Sequence, residues 1–229
     1  MIQAVFFTHI PKTGGTSLNR TLLLDKFKAS EVCRSQGLRD IASNSDSFKY
    51  HPGHHPYGIH QLSSMPENPV YVTMLRDPVK RAISFYYECL WPRGGKKVAD
   101  HPEHPTAWKH DIVDFYRIPR FRNVQARMLS GIIPTILGRY LSVDQPVVCD
   151  YVLKQAMHNL KREYAAFGIT SRFEESRSLI ANALGWQDIA PVTQKHKTNS
   201  DRPRAEDFSE REISELKRLN RLDMQVYRY

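Results

Sequence analysis

Apolar positions along this chain fall into two spacings. Near the start, the run Ile2-Gln3-Ala4-Val5-Phe6-Phe7 is short, apolar and closed by a Pro/Gly-rich turn, which predicts a buried strand. Beyond the turn, Leu18, Leu22, Leu23 and Phe27 recur at helical spacing. A second buried strand is predicted at Val70-Tyr71-Val72-Thr73-Met74-Leu75, leading directly into "RDPVKRAISFYYECL". There Asp77 is a good N-cap and Pro78 stands at the first helical position, where its missing N–H costs nothing. Val79, Ile83, Tyr86, Tyr87 and Leu90 form the core stripe of that helix, with Lys80, Arg81 and Ser84 on the neighbouring face. Helical patterns follow around 120–130 and 149–162, then a strand-like "AAFGIT" at 165–170. A helix is predicted from near Ser171 through Leu179, Ile180 and Leu184, stopped by Gly185. The last helix opens with a capping box, Ser209 and Glu212, and carries Ile213, Leu216, Leu219 and Val226. Residues 92–118, rich in Pro, Gly, His and charge, read as a loop or insertion.

Strands alternating with helices predict an α/β fold, a mainly parallel central sheet flanked by helices, over a single domain of residues 1–229. In such sheets ligands gather outside the carboxyl ends of the strands. Both strand-to-helix turns, one holding Lys12 and the other Arg76, fall there.

Composition narrows the setting. A length of 229 residues is enough to bury a sizeable core, and no apolar run is long enough to cross a bilayer. The start "MIQAVFF" lacks the basic region and cleavage site of a secretion signal, so a cytoplasmic location is expected. Cys33, Cys89 and Cys149 are odd in number and scattered, which suits a reducing compartment over a disulfide framework. A formal charge of +9 implies an anionic partner: nucleic acid, an acidic polysaccharide or a highly charged small cofactor. The basic residues form no tract and no pattern interleaved with aromatics, which disfavours nucleic acid.

The first turn carries the clearest chemistry. "THIPKTGGTSL" places Lys12, Thr13, Gly14, Gly15, Thr16 and Ser17 between a strand and a helix. The first N–H groups of that helix are unpaired and face the strand's carboxyl end, where the macrodipole favours negative charge. The glycines admit an anion close to the backbone, Thr16 and Ser17 offer hydroxyls, and Lys12 offers a point charge. A Walker loop has its lysine after the glycines; here Lys12 precedes them, so an ATP- and magnesium-using kinase or nucleotidase fits poorly. The bland alternative is an ordinary turn with a solvated lysine.

"FTHIPKTGGTSL", followed some sixty residues later by "VTMLRDPVKRAISFYY", resembles the paired donor-binding segments of sulfotransferases. The likeness is to the carbohydrate type, which includes the heparan sulfate 2-O- and 6-O-sulfotransferases and bacterial relatives. Between the two segments, "YHPGHHPYGIHQL" resembles the piece that carries the family's catalytic histidine, and "NVQARMLSG" and "FGITSRFEESRSLI" are similar to later pieces. The resemblance implies a P-loop-like three-layer fold and 3'-phosphoadenosine 5'-phosphosulfate as donor and co-substrate, with no metal. Carried over by position, Lys12 to Ser17 hold the 5'-phosphosulfate, while Arg76 and Ser84, with Arg81 on the same helix, hold the 3'-phosphate. The two-ended anion matches two cationic turns on adjacent crossovers. Arg76 as a purely structural residue, paired with Asp77 or the sheet edge, is the alternative.

Sulfuryl transfer needs in-line placement, charge stabilisation on the leaving oxygen and a base for the attacking hydroxyl. Lys12 is the candidate for the leaving oxygen. The base suits histidine, and the sequence offers His51, His54, His55 and His60. The resemblance maps the catalytic residue to His54, after Gly53, with His55 in reserve; His51 and His60 read as surface loop residues. A zinc site is disfavoured, because Pro52, Gly53 and Pro56 break any helix that would align His51 with His55. Asn123, Gln125 and Arg127 are candidates to face the acceptor, or are the polar face of an ordinary helix. Trp91, Trp108 and Tyr57 are candidates for stacking on adenine or sugar, or for the core. The basic stretch 195–204 reads as a lid or a solvated linker. The expected acceptor is a hydroxyl, on a glycan or a small molecule. A non-catalytic polyanion-binding module remains the third class of reading.

Overall fold

The computed structural model describes residues 4–33, 48–62, 69–91, 101–140, 146–187, 189 and 202–229. Four strands, β1 (Ala4–Thr8), β2 (Tyr50–Gly53), β3 (Pro69–Leu75) and β4 (Tyr164–Ile169), pair in the order β2-β1-β3-β4. Every pairing is parallel, as the alternation of strand and helix predicts. All five residues of β1 are buried, so it reads as a continuous apolar run. Its alternate side chains feed two cores. Val5 and Phe7 pack with Leu18, Leu22 and Leu23 after the first turn and with Ile180 and Ala181 of α8 (Phe173–Ala183). Ala4 and Phe6 pack on the opposite face, against α5 (Val124–Ser130), α7 (Pro146–Arg162) and α10 (Arg221–Arg228). Helices on both faces make the expected three layers.

The helix after β1 departs from the predicted single rod. It is one turn of α-helix, α1 (Gly15–Leu18), running into a wide π turn over Asn19–Leu23 and a 3-10 turn over Leu24–Lys26. The Thr21 hydroxyl donates to the Ser17 carbonyl at 2.8 Å, and the Tyr50 hydroxyl donates to the Asn19 side chain; the first of these competes with the regular ladder. The second turn is as predicted: Asp77 caps α2 (Pro78–Leu90) by accepting from the Lys80 N–H at 2.9 Å.

Within the expected loop at 92–118, residues 92–100 lie outside the described residues, but the remainder is not a loop. It forms α3 (His104–Lys109) and α4 (Ile112–Arg117), the latter capped by Asp111 onto the Asp114 N–H at 2.8 Å. Ile112, Phe115 and Tyr116 anchor α4 in a third apolar cluster with α2; six-residue helices are too short to declare themselves by period. Gly131, at φ 123°, separates α5 from α6 (Ile132–Tyr140). The predicted last helix is two, α9 (Glu210–Leu219) and α10, broken at Asn220. None of the described helices is long and apolar enough to cross a membrane.

Candidate active site

The carboxyl end of β1 opens into the turn that the sequence singles out. Lys12 and Gly14 both take positive φ, 69° and 83°, and Gly14 precedes the first residue of α1. Two outside groups fix this shape. Arg76 Nη1 donates to the Lys12 carbonyl at 3.1 Å, and the Thr170 hydroxyl is within hydrogen-bond distance of the Thr13 carbonyl, at 2.6 Å, and of the Leu75 carbonyl, at 2.9 Å. The Thr13 hydroxyl turns inward to the Ile10 carbonyl at 2.9 Å, whereas Thr16 is exposed and Ser17 half-buried at the start of α1. A side chain at Gly15 would run into the ring of His9, so the close approach at this point requires glycine. Lys12 Nζ lies 2.7 Å from Glu88 Oε2, and the same oxygen accepts from Arg202 Nη2 at 2.9 Å.

Beside this turn lies a cavity of about 640 Å³ whose walls include Arg76, Lys80, Ser84, Arg202 and Arg204. Ser84 Oγ is buried and finds no hydrogen-bond partner among the described residues, which leaves a donor available to an anion in a cationic cavity. Arg76 is held at its own peptide: Gln125 accepts from the Arg76 N–H at 3.0 Å and donates to the Arg76 carbonyl at 2.9 Å. Cradle, cations and unpaired hydroxyl together fit a ligand with two separated phosphate-type ends. Of the basic stretch 195–204, residues 195–201 lie outside the described residues.

Arg81 departs from its expected place at that cavity. Lys80 and Ser84 are four residues apart and share a face of α2, but Arg81 sits one residue further round and is turned away. It is 1% exposed, with Nε 3.8 Å from Asp223 Oδ2, and lines a second cavity of about 330 Å³. Burial pushes the Asp223 carboxyl up, while Arg81 and the N–H groups of Ala126 and Gln125 pull against it. Arg120, Arg127, Glu103 and the exposed His54 also line the second cavity.

His54 follows the short edge strand β2, which the sequence pattern misses; its Pro52 is tolerable at a sheet edge. His54 Nδ1 is 2.5 Å from the His9 carbonyl, a group that only accepts. Nδ1 therefore carries the proton, and Nε2 keeps the lone pair a base needs. His9 packs beside it with ring centroids 4.6 Å apart and stacks on Phe7 at 5.2 Å. Burial lowers the His9 pKa to about 3, helped by the charges of His54 and Lys12, so His9 is neutral. The sequence reading passed it over.

The other histidines separate from the site. His55 is buried with its ring against Gly53, and burial, then the charges of His54 and His51, lowers its pKa to about 4. His51 is a core residue and not a surface one: it stacks on Phe6 at 4.3 Å, and burial lowers its pKa. His60 is half-buried, with Nδ1 2.9 Å from the Tyr71 hydroxyl. Among the described residues no group of three acidic, histidine or cysteine side chains could hold a metal. Asn123 and Gln125 serve structure, and of the three polar residues proposed for the acceptor only Arg127 lines the second cavity. Trp108 is exposed, Trp91 packs on Tyr87 at 4.9 Å, and the Tyr57 hydroxyl donates to Glu163 at 2.9 Å.

A parallel sheet bearing a glycine turn at one strand end, a cationic cavity at the next and a histidine after the edge strand defines an α/β protein whose strand ends are suited to an anionic ligand. Comparison with known proteins makes the class specific. The sulfotransferase family model matches residues 3–131, and the chain belongs to that family. It is 26% identical to heparan-sulfate 6-O-sulfotransferase 3 of Mus musculus, over 99% of this chain and 56% of that protein. It is 28% identical to heparan-sulfate 6-O-sulfotransferase 2 of Gallus gallus, over 98% of this chain and 65% of that protein. Heparan sulfate 2-O-sulfotransferase 1 of Gallus gallus is 26% identical, over 79% of this chain and 54% of that protein. The chain thus spans little more than half to about two-thirds of these relatives' lengths.

Proposed function

We propose that the protein transfers a sulfuryl group from 3'-phosphoadenosine 5'-phosphosulfate to a hydroxyl of a glycan. Family membership supports the reaction class, and the relatives' names supply the glycan. The observation that carries the site assignment is that His54 packs on neutral His9, with Lys12 near enough for its charge to lower the His9 pKa, beyond the ends of adjacent parallel strands.

In this reading the donor supplies the activated sulfuryl group, and the chain's residues divide the remaining work. Backbone N–H groups at Gly14, Gly15 and Thr16, with the Ser17 hydroxyl, hold the phosphosulfate end. Arg76 and Ser84 hold the 3'-phosphate in the larger cavity, where Ser84 Oγ gains a partner. Lys12 neutralises the charge that grows on the leaving phosphate oxygen. His54 Nε2 takes the acceptor hydroxyl's proton, and the resulting imidazolium keeps its Nδ1–H on the His9 carbonyl. The acceptor enters the second cavity, lined by three guanidinium groups and one carboxylate, Glu103, with Asp223 buried behind Arg81, a balance suited to an acidic sugar.

The test is transfer of label from sulfur-labelled donor to a panel of sulfated, carboxylated and neutral glycans. His54→Ala is expected to lose turnover while still binding adenosine 3',5'-bisphosphate, and Lys12→Ala to lose turnover and bind the bisphosphate measurably but more weakly. Full turnover by His54→Ala removes the base assignment, and preferential binding of ATP over the bisphosphate removes the donor.

A further inference from the structure

Glu88 belongs to none of the roles above, yet it holds the most reactive cation of the site. It stands near the end of α2, twelve residues from Arg76, and its Oε2 is gripped by both Lys12 Nζ and Arg202 Nη2. One partly negative oxygen between an ammonium and a guanidinium is the arrangement a phosphate oxygen would take. Burial raises the Glu88 carboxyl's pKa, but the Lys12 and Arg202 contacts outweigh it and hold the group below its ordinary value.

We propose that Glu88 is an internal counter-anion that competes with the donor for Lys12, and that donor binding transfers Lys12 from this carboxylate to the phosphosulfate. The inference rests on the donor reading of the first turn. Arg202 is 5% exposed and also donates to the Trp91 carbonyl at 3.0 Å, so it stays with Glu88 when Lys12 leaves. The exchange therefore releases one cation and keeps the segment beginning at Arg202, which walls the larger cavity, fastened to α2. An empty site with Lys12 neutralised in this way has less attraction for stray anions, and only a ligand that also engages Arg76 and Ser84 gains enough to displace the carboxylate.

The experiment is calorimetric titration of adenosine 3',5'-bisphosphate at fixed ionic strength. Glu88→Gln keeps the side chain's shape and removes the competing charge, and its affinity is expected to rise about five- to tenfold, the worth of one charge-assisted contact. In a Lys12→Ala background the same substitution is expected to change affinity by less than about twofold, since the contested cation is gone. Equal or weaker binding by Glu88→Gln, or a gain that persists undiminished without Lys12, overturns the proposal. If Glu88→Gln melts before it can be titrated, Glu88→Asp, one methylene short of its two cations, is read by the same criteria. Failure of the wild-type protein to bind the bisphosphate brings down the donor site and this inference with it; wild-type binding without a gain in the variant brings down this inference alone.

Discussion

Gly15→Ala isolates the contact between the glycine turn and the histidine pair. Gly15 is the first residue of α1 and carries no positive φ, so the backbone accepts alanine there and the substitution acts through space alone. The added Cβ would stand 2.3 Å from His9 Cδ2, 2.6 Å from His9 Nε2 and 2.8 Å from Phe7 Cζ. That is roughly 1 Å inside ordinary van der Waals contact, and the ring cannot simply slide, because Phe7 stacks on one side and His54 lies on another. Overpacking of this kind costs about 1–3 kcal/mol, and alanine's better helix propensity returns up to about 1 kcal/mol. The net loss of about 1–2 kcal/mol corresponds to a melting temperature lower by roughly 3–6 °C for a chain of this size. A His9 shift also moves the carbonyl that orients His54, and misplacement by about 1 Å costs on the order of 100-fold in rate. Thermal unfolding and initial rates of label transfer measure the two effects. Gly14→Ala is the contrast: it strains a backbone at φ 83° but meets only Thr170, at 3.4 Å from Cγ2 and 3.8 Å from Oγ1, so its larger effect is expected on affinity for the proposed nucleotide. A Gly15→Ala protein with wild-type melting temperature and turnover would show that His9 moves freely and does not support His54.

Stability is expected to fall on the acid side through two histidines. His9 and His55 titrate at about 3 and about 4 in the folded protein, against an ordinary value of 6.5, so the unfolded chain takes up protons first. Their contribution is complete above about pH 6.5 and declines as pH drops towards about 4 and then about 3, with a slope of at most about 1.4 kcal/mol per pH unit for each group. Urea unfolding at pH 7, 6, 5 and 4 is expected to show a shallower loss for His55→Gln than for wild type; parallel curves would refute the buried-neutral assignment. Asp223→Ala leaves the Arg81 guanidinium buried without its carboxylate and uncaps the Gln125 and Ala126 N–H groups. A loss of about 3–5 kcal/mol in denaturant unfolding is expected, and a loss below about 1 kcal/mol would mean that Arg81 is neutralised by something else.

What the sequence makes legible here is what local chemistry dictates. β1 and β3 show themselves as apolar runs, α2 by the Asp77-Pro78 start and α9 by the Ser209–Glu212 box. The cradle is legible because only glycine tolerates the turn at Gly14 and the crowding at Gly15. β2 is illegible because four residues including a proline and a glycine carry no strand period, and its strand character comes from pairing with β1. His9 and Glu88 escape notice, and Gln125 and Arg202 are noticed only for other roles, for a related reason: each acts on a group 45 to 114 residues away in sequence or through a neighbour's carbonyl, and spacing encodes none of it. Arg81 shows the finer limit. Its sequence proximity to Lys80 and Ser84 suggests a shared ligand, and a rotation of about 100° on the helix sends it to a different cavity.

These long-range contacts tie the turn after β1 to the last helix. Asn123 and Asn220 cap each other's neighbourhoods: the Asn123 N–H donates to Asn220 Oδ1 at 3.2 Å, and the Leu222 N–H donates to Asn123 Oδ1 at 3.0 Å. Asp223 then serves as a remote cap for α5, accepting from the Ala126 and Gln125 N–H groups at 2.8 and 3.2 Å. Gln125, fixed in this way, holds both polar groups of the Arg76 peptide, and Arg76 in turn holds the Lys12 carbonyl. Every link is a buried or half-buried hydrogen bond, and a buried polar group that loses its partner costs about 1–3 kcal/mol. The cationic turn is thus positioned from behind by α5 and α10 as well as by its own strand. In the proposed reaction, the same Asp223 that caps α5 also balances Arg81 in the acceptor cavity, so one buried carboxylate sets both the rigidity of the donor side and the charge of the acceptor side.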